Sequence, residues 1–412
     1  MTVFFNVLPP DEARSLIRQH LKPLEITDLL LTSEALDRVT GEAVCAPHPL
    51  PTFRRSTMDG YAVKAADTFG AGSALPAFLH VVGEVVMGRP ATIELGTGEA
   101  AIIHTGGELP QSADAVVQVE NTQPVGDEEI EVVRAVAVGE NVIQVGEDIA
   151  EGEEILPARW WLRPQDLGGL LALGIVQVTV VRRPRVALIS TGDEVVAPSE
   201  PMGPGQVRDI NSYTTAALAG RAGAEPILYG VIPDDLDAMR AVAARAMEEA
   251  DVIVFSAGSS VSVRDATARV IEELGEPGIL FHGVAVRPGK PTIGAIAQGK
   301  PVFGLPGNPV SAMNLFDLLV VPTLLHLTGC VNPPRPAMAR ARVARNVPGM
   351  AGREDRVPVR LALRDGELWA EPVFGKSNLI FTLVRADGTF IIPLDAGGVS
   401  MGDWVDVQLY DG

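Results

Sequence analysis

Three short polar segments in the middle of the chain each follow a run of aliphatic and β-branched residues. They are residues 190–194 (STGDE), 256–260 (SAGSS) and 305–311 (LPGNPVS). Strand and helix patterns alternate across residues 184–329, which predicts right-handed crossovers and a doubly wound α/β sheet. Because open α/β sheets bind their ligands at the carboxyl ends of their strands, we expect the three segments to lie together at that edge.

The third segment is the most specific of the three. Pro306 fixes one turn position, Asn308 is a preferred N-cap residue, and Pro309 suits the first turn of a helix. So much stiffness at a helix start indicates a preorganised binding surface. A merely rigid turn is the alternative.

The second segment, residues 256–260, combines small side chains with backbone N–H groups that can approach the oxygens of a phosphate closely. Asp265 lies at the start of the following helix pattern, where it could serve as a metal ligand. The alternative is an ordinary strand-to-helix turn in which Asp265 is a favourable N-terminal charge.

Charged residues accompany these segments. Asp193 and Glu194 place adjacent carboxylates at a strand end, where they could bind a metal ion or act as a general base, unless they belong to a simple polar loop. Arg287 and Lys290 flank a turn and could hold a phosphate or an oxyanion as fixed charges. The alternative for that pair is a solvated basic turn.

The composition limits the classes of partner. The formal net charge of −19 and the pI near 4.8 exclude the basic footprint that nonspecific nucleic-acid binding requires. The first ten residues lack a signal-peptide pattern, the apolar stretch 315–327 is interrupted by polar residues and a proline, and the two cysteines form no disulfide or metal motif. We therefore expect a cytoplasmic protein that binds neither nucleic acid nor membrane.

The remaining sequence predicts an α/β multidomain protein, because 412 residues exceed one ordinary core. Short β patterns separated by Gly and Pro predict a small β domain at residues 52–140. Mixed patterns on either side of it predict a discontinuous N-terminal linker and dimerisation domain at residues 1–51 and 141–180. The doubly wound domain then spans residues 181–330, and residues 331–412 predict a C-terminal β-barrel or sandwich.

Six motifs occur together, in order and along nearly the whole chain: STMDGYAV ending at residue 63, TGG at 105–107, ADAVV at 113–117, STGDE at 190–194, PGKP at 288–291 and LPGNPVS at 305–311. This set resembles the molybdopterin molybdenumtransferases, the MoeA and gephyrin E-domain family. The resemblance implies a four-domain, elongated homodimer with a molybdopterin-binding doubly wound domain and an active site at the subunit interface. It further implies insertion of molybdate into adenylylated molybdopterin, with Mg²⁺-dependent hydrolysis and AMP release, and molybdoenzymes as acceptors of the product.

The resemblance also assigns residues. The acidic positions could hold Mg²⁺ against a diphosphate or orient the attacking oxygen. The implied catalytic residues are Asp59, Thr105, Glu194, Asp234 and Asp265. Three of them, Glu194, Asp234 and Asp265, are the implied metal ligands. The implied substrate-binding residues are Ser256, Gly258, Ser260, Arg287, Lys290, Pro306, Gly307, Asn308, Pro309, Ser311, Arg353 and Ser377.

The sequence departs from the family pattern at two places. Ala257 and Ser262 replace glycines of the usual SGGVSxG run, and Arg54–Arg55 replaces the acidic and amide residues more often seen before the Asp59 motif. The first departure bears on the fine geometry of phosphate binding, and the second suggests a branch of the family that has diverged in partner or duty. Two other functions are alternatives to molybdate insertion, a gephyrin-like scaffold without catalysis and a molybdopterin adenylyltransferase.

Overall fold

A computed structural model describes residues 7–257 and 261–410, and the side chains of residues 261–264 lie outside the description. The chain forms two compact units. The first comprises Met1–Glu42, Arg159–Leu167 and Gln177–Gly412, and the second comprises Ala43–Ala158 and Gly168–Val176.

The first unit contains a six-stranded sheet flanked by helices. Its strands are β1 (Arg185–Thr191), β2 (Glu225–Ile232), β3 (Val252–Ala257), β4 (Pro277–His282), β5 (Ile293–Ala297) and β6 (Lys300–Pro306). Its helices are α1 (Pro10–Gln19), α2 (Asn211–Arg221), α3 (Leu236–Glu249), α4 (Val261–Glu273), α5 (Pro309–Leu315) and α6 (Val321–Thr328). The spatial order is β2-β1-β3-β6-β5-β4, in which β2, β1, β3 and β6 are parallel and the other two strands are antiparallel additions. The order therefore reverses between β1 and β3, which defines a topological switch point.

The two faces of this sheet carry separate cores. Along β1, Val186 and Leu188 pack with residues of α1, α2, α5 and α6, whereas Ala187 and Ile189 pack with residues of α3 and α4. Successive side chains of a strand point to opposite faces, so an unbroken aliphatic strand is buried on both sides. The prediction of a doubly wound α/β domain is confirmed.

Helix α1 lies in the predicted N-terminal segment and packs onto this doubly wound domain. Its buried residues Ala13 and Ile17, one turn apart, join a core cluster that includes Phe316 and Leu319. Thr27–Leu31 pairs with the strand Gln177–Val181, so the chain start also contacts sequence beyond the small domain. The four domain boundaries themselves stay a prediction.

One helical stretch of the described chain is long and apolar enough, by length and composition alone, to cross a membrane. It runs from Pro309 to Thr328 and consists of α5, a π-helical turn at Phe316–Val320, and α6. Buried residues make up 61% of its most apolar window. That burial is typical of the core helix of a globular domain.

The C-terminal part of the first unit is a closed five-stranded barrel, which confirms the β-barrel prediction. Around the barrel, the strands follow the order Glu354–Arg364, Glu367–Pro372, Met338–Val343, Trp404–Leu409, Gly388–Ile392 and back to Glu354–Arg364. Val343, Val359, Phe390 and Val407 fill its interior. The short strand Val286–Arg287 pairs in parallel with the beginning of Glu354–Arg364.

The second unit contains the predicted small β domain, a six-stranded sheet. Its order is Ala115–Gln118, Gly60–Val63, Glu99–Ile103, Ala77–Glu84, Glu129–Val132 and Thr122–Val125. Shorter ladders join Arg55–Ser56 with Val142–Ile143 and Val44–Cys45 with Glu154–Leu156. The central strand Glu99–Ile103 has a parallel neighbour on one side and an antiparallel one on the other.

The other elements are short. Val195–Val196 pairs with Val207–Arg208, and Val347–Pro348 pairs with Gly398–Val399. The remaining helices are Pro164–Ala172, Phe381–Val384 and three 3₁₀ turns, Thr32–Glu34, Ala65–Thr68 and Val119–Asn121.

Asp235 caps helix α3. Its Oδ1 accepts hydrogen bonds from the backbone N–H groups of Asp237 (3.1 Å) and Ala238 (2.8 Å). We expect Asp235→Ala to lower the free energy of unfolding by about 1 kcal/mol, because two N–H groups of the first turn lose their acceptor. Urea denaturation measures the change. The matched control, Asp237→Ala, removes only an exposed ion pair with Arg240 and should cost less than about 0.5 kcal/mol; equal losses would contradict the capping role.

Candidate functional site at the edge of the doubly wound sheet

A hydrogen-bond network links the ends of β3 and β6 to the start of α2. The Nδ2 group of Asn211, the first residue of α2, donates to Ser256 Oγ (2.8 Å) and to the Gly307 carbonyl oxygen (2.9 Å). Two of the three sequence segments are therefore brought together at the carboxyl edge of the sheet, as predicted from the parallel strands. Asn211 itself was not predicted as a site residue.

The first segment joins this edge through a buried polar cluster. Ser190 Oγ donates to Asp209 Oδ1 (3.0 Å) and lies 2.8 Å from Ser212 Oγ, and the backbone N–H of Ser212 donates to the same Asp209 oxygen (3.1 Å). Asp209 and Ser212 were also missed from sequence. The usable signal was the RDINS run, polar and small residues immediately before an apolar helix pattern.

Two buried polar atoms beside this network lack a hydrogen-bond partner within the described residues. They are Thr191 Oγ1 and Asn211 Oδ1. A buried polar atom left without a partner costs free energy, so its neighbourhood is suited to a polar ligand or to water that supplies the missing bond.

Three carboxylates meet where β1 and β2 end. The backbone N–H of Asp234 donates to Asp193 Oδ1 (3.1 Å), and burial together with the negative charges of Asp193 and Glu194 raises the pKa of Asp234. Asp234 Oδ1 is buried and has no hydrogen-bond partner in the part of the chain that the structure describes. Of the predicted catalytic residues, Glu194 and Asp234 are thus brought together, and Asp193 joins them.

The carboxylates of Asp193, Glu194 and Asp234 could provide part of a Mg²⁺ site but not a complete one. Asp265 is exposed on α4, and among residues 7–257 and 261–410 no three His, Cys, Asp or Glu side chains are arranged to hold a metal ion. Proteins usually bind Mg²⁺ through one or two carboxylates plus substrate phosphates rather than through a complete protein cage. Asp234 Oδ1, which has no partner within the described ranges, lies beside Glu194 and fits such a partial site. The three-ligand set with Asp265 stays a prediction.

The start of α5 carries most of the predicted substrate-binding segment. Asn308 occupies the N-cap position, Pro309 is the first helical residue, and Ser311 is buried. The backbone N–H of Val310 donates to the Ser377 carbonyl oxygen (3.1 Å). The structure therefore places Ser377, predicted from a distant part of the sequence, beside this helix start. Gly258 and Ser260 lie outside the described residues.

A buried carboxylate joins two of the predicted cations. Asp355 is 1% exposed, and its two oxygens accept from Arg287 Nη2 (2.8 Å) and Arg353 Nε (3.1 Å). Two guanidinium charges share one carboxylate charge, so the group keeps a net positive charge. Lys290 follows in the same turn and is exposed.

Asp59 and Thr105 belong to the second unit and contact each other there. Thr105 donates to Asp59 Oδ1 through its backbone N–H (2.8 Å) and its hydroxyl (3.3 Å). These bonds stabilise the carboxylate form, and the backbone N–H is the largest cause of the lowered pKa of Asp59. The Asp59 side chain is exposed.

Arg54, one of the departures from the family pattern, has a local structural explanation. Its guanidinium donates to the carbonyl oxygens of Pro110, Gln111 and Ala113. The side chain thereby satisfies three acceptors of one loop, which is a folding role within the second unit and requires no change of partner.

Comparisons with known proteins cover the same parts of the chain. The MoeA N-terminal region (domains I and II) matches residues 8–174, a probable molybdopterin-binding domain matches residues 187–326, and the MoeA C-terminal region (domain IV) matches residues 340–410. A doubly wound domain, a small β domain and a C-terminal barrel in these positions define a MoeA-type multidomain protein.

Relatives that align with nearly the whole chain indicate the same family. A molybdopterin molybdenumtransferase of Bacillus subtilis is 33% identical, with 98% of this chain and 94% of the relative covered. A molybdopterin molybdenumtransferase 2 of Mycobacterium tuberculosis is 34% identical over 92% of this chain and 93% of its own length. The crystal structure of the molybdopterin biosynthesis MoeA protein of Pyrococcus horikoshii OT3 has a TM-score of 0.85 at 32% identity, covering 98% of this chain and all of that one. The chain belongs to the MoeA family of molybdopterin molybdenumtransferases and is a transferase.

Proposed function

We propose that this chain inserts molybdate into adenylylated molybdopterin and releases AMP in a Mg²⁺-dependent hydrolysis. The observation that carries the proposal is the buried oxygen of Asp234, which has no hydrogen-bond partner among the described residues and lies beside Asp193 and Glu194 at the carboxyl edge of a doubly wound sheet. Crowded carboxylates of this kind favour a cation between them and an anionic substrate. In the hydrolysis, the oxygen of water bonds to one phosphorus, the bridging P–O bond breaks, and the released protons go to solvent.

The predicted acidic residues have different roles in this proposal. Asp234 and Glu194 would hold Mg²⁺ together with substrate phosphate oxygens, and Asp265 is the further ligand that the family resemblance implies. When bound, the ion neutralises charge on the phosphoanhydride. Asp59, held by Thr105, orients the attacking water.

The cations and hydroxyls serve the other substrate groups. Arg287, Arg353 and Lys290 supply positive charge for the molybdate dianion. Ser311 and Ser377, which adjoin the start of α5, supply hydrogen bonds. The small-residue segment after β3 and the rigid start of α5 bind phosphate and pterin, through Ser256, Gly258, Ser260, Pro306, Gly307, Asn308 and Pro309. The proposal includes a cytoplasmic homodimer whose interface completes the site, and molybdoenzymes that accept the product.

AMP release tests this proposal directly. The protein incubated with adenylylated molybdopterin, Mg²⁺ and molybdate should release AMP above a protein-free control, and Asp265→Ala should remove most of that rate. ATP consumption with plain molybdopterin would instead identify an adenylyltransferase. A silent cofactor assay combined with a stoichiometric peptide partner would identify a scaffold.

A further inference from the structure

Three ionisable side chains lie at the same end of three neighbouring strands in the small β domain. Asp59 precedes Gly60–Val63, Glu84 ends Ala77–Glu84, and His104 follows the central strand Glu99–Ile103. The pairing registers join Gly60 to Ile103 and Glu84 to Ile102. The sheet register therefore brings the three side chains to the same end of the sheet.

The imidazole of His104 lies between the two carboxylates. Its Nε2 is 3.0 Å from Glu84 Oε1, and its Nδ1 is 3.7 Å from Asp59 Oδ1. As an imidazolium the ring presents one N–H to each carboxylate. The ring therefore bridges Glu84 and Asp59.

The contacts to Asp59 all reach one oxygen. Thr105 N–H, Thr105 Oγ1 and His104 Nδ1 approach Oδ1, and within the described part of the chain these are the contacts of the Asp59 side chain. Oδ2 remains available for chemistry. A carboxylate anchored through one oxygen presents the other in a fixed direction, which suits it to orient a water molecule.

We propose that Glu84 and His104 are positioning residues for Asp59: Glu84 orients the imidazole, and the imidazole together with Thr105 fixes Asp59 Oδ1 so that Oδ2 faces the substrate. The inference rests on the proposed role of Asp59 in the reaction. Neither residue contacts substrate in this assignment. Partners that orient a reacting group of this kind affect activity through that group.

Steady-state AMP release tests the inference with four single variants. His104→Ala should lower kcat about 10-fold, and Glu84→Gln by a smaller factor, with KM for adenylylated molybdopterin unchanged. His104→Gln should recover part of the loss, because its amide can donate to one of the two carboxylates. His80→Ala is the matched control, since His80 is an exposed residue on the same strand as Glu84, and it should leave kcat unchanged. Thermal melting verifies that each variant is folded.

Double variants separate a positioning role from a general structural one. Glu84→Gln should cause no further loss in the His104→Ala background, and His104→Ala should cause none in the Asp59→Asn background. Full losses in both backgrounds would overturn the inference. If Asp59→Asn is slow while His104→Ala equals the wild type, the inference fails and the proposed role of Asp59 survives. If Asp59→Asn equals the wild type, both fail.

Discussion

Asp234→Asn is expected to lower the rate of AMP release by about 100-fold or more, because the neutral amide is a much weaker Mg²⁺ ligand than the carboxylate in the proposed metal site. The same substitution should raise the melting temperature near neutral pH. Burial and the charges of Asp193 and Glu194 raise the pKa of Asp234, which means that the folded protein tolerates its negative charge less well than the unfolded chain does. Removing that charge should therefore raise the stability of the fold while lowering the rate of AMP release.

The sign of the pH dependence follows from the same shift. A carboxyl group whose pKa is raised by folding binds its proton more tightly in the native state, so wild-type stability falls as the pH rises from the ordinary value of 3.8 through the raised pKa. The gain in melting temperature of Asp234→Asn over the wild type should therefore be full above the raised pKa and disappear below 3.8.

Mg²⁺ provides a readout that does not depend on turnover. In the presence of substrate or AMP, whose phosphate oxygens complete the metal site, added Mg²⁺ should raise the melting temperature of the wild type and not that of Asp234→Asn. Differential scanning fluorimetry measures both temperatures, and Asp235→Asn is the adjacent control that should still respond. An equal response of the wild type and Asp234→Asn to Mg²⁺ would remove Asp234 from the metal site.

Asp355→Ala is the second change with a large expected effect. The substitution leaves the guanidinium groups of Arg287 and Arg353 without their shared, buried partner. Both side chains are partly exposed and can be resolvated, so we expect a loss of about 2 kcal/mol in the free energy of unfolding. The two cations also lose their fixed position, and the KM for molybdate should rise. Urea denaturation and the molybdate dependence of AMP release measure the two consequences.

A matched control is available in the same barrel. Glu367 forms a partly exposed ion pair with Arg342, and Glu367→Ala should cost less than about 1 kcal/mol and leave the KM for molybdate unchanged. A stable Asp355→Ala variant with an ordinary KM for molybdate would show that Arg287 and Arg353 do not depend on this carboxylate.

Local sequence pattern was sufficient for the doubly wound sheet and for the segments at its edge. Alternating strand and helix patterns carry the topology, and motif order places Glu194, Ser256 and Pro306 at strand ends that adjoin. The same pattern gave the small β domain and the barrel. These features depend on residues that are close in sequence or on rules that hold for all parallel sheets.

Contacts between distant segments were beyond such rules. Asp355 can form an ion pair with Arg287 only because the strand Val286–Arg287 pairs with the beginning of Glu354–Arg364. The local sequence of neither segment predicts that pairing. Asn211 lies in a run without a recognised motif, and its role appears only when the ends of β3 and β6 are adjacent to it. Long-range side-chain partnerships require the assembled fold.

The shared carboxylate of Asp355 has a consequence for truncation. A fragment that ends at residue 330 would retain Asp234 and its neighbouring acids, yet it would lack both Asp355 and Arg353. In the proposed assignment, such a fragment would keep the acidic residues for the phosphate-bearing substrate and lose the anchored cations for the tetrahedral dianion. The barrel therefore supplies the carboxylate and one of the two guanidinium groups of the proposed oxyanion site.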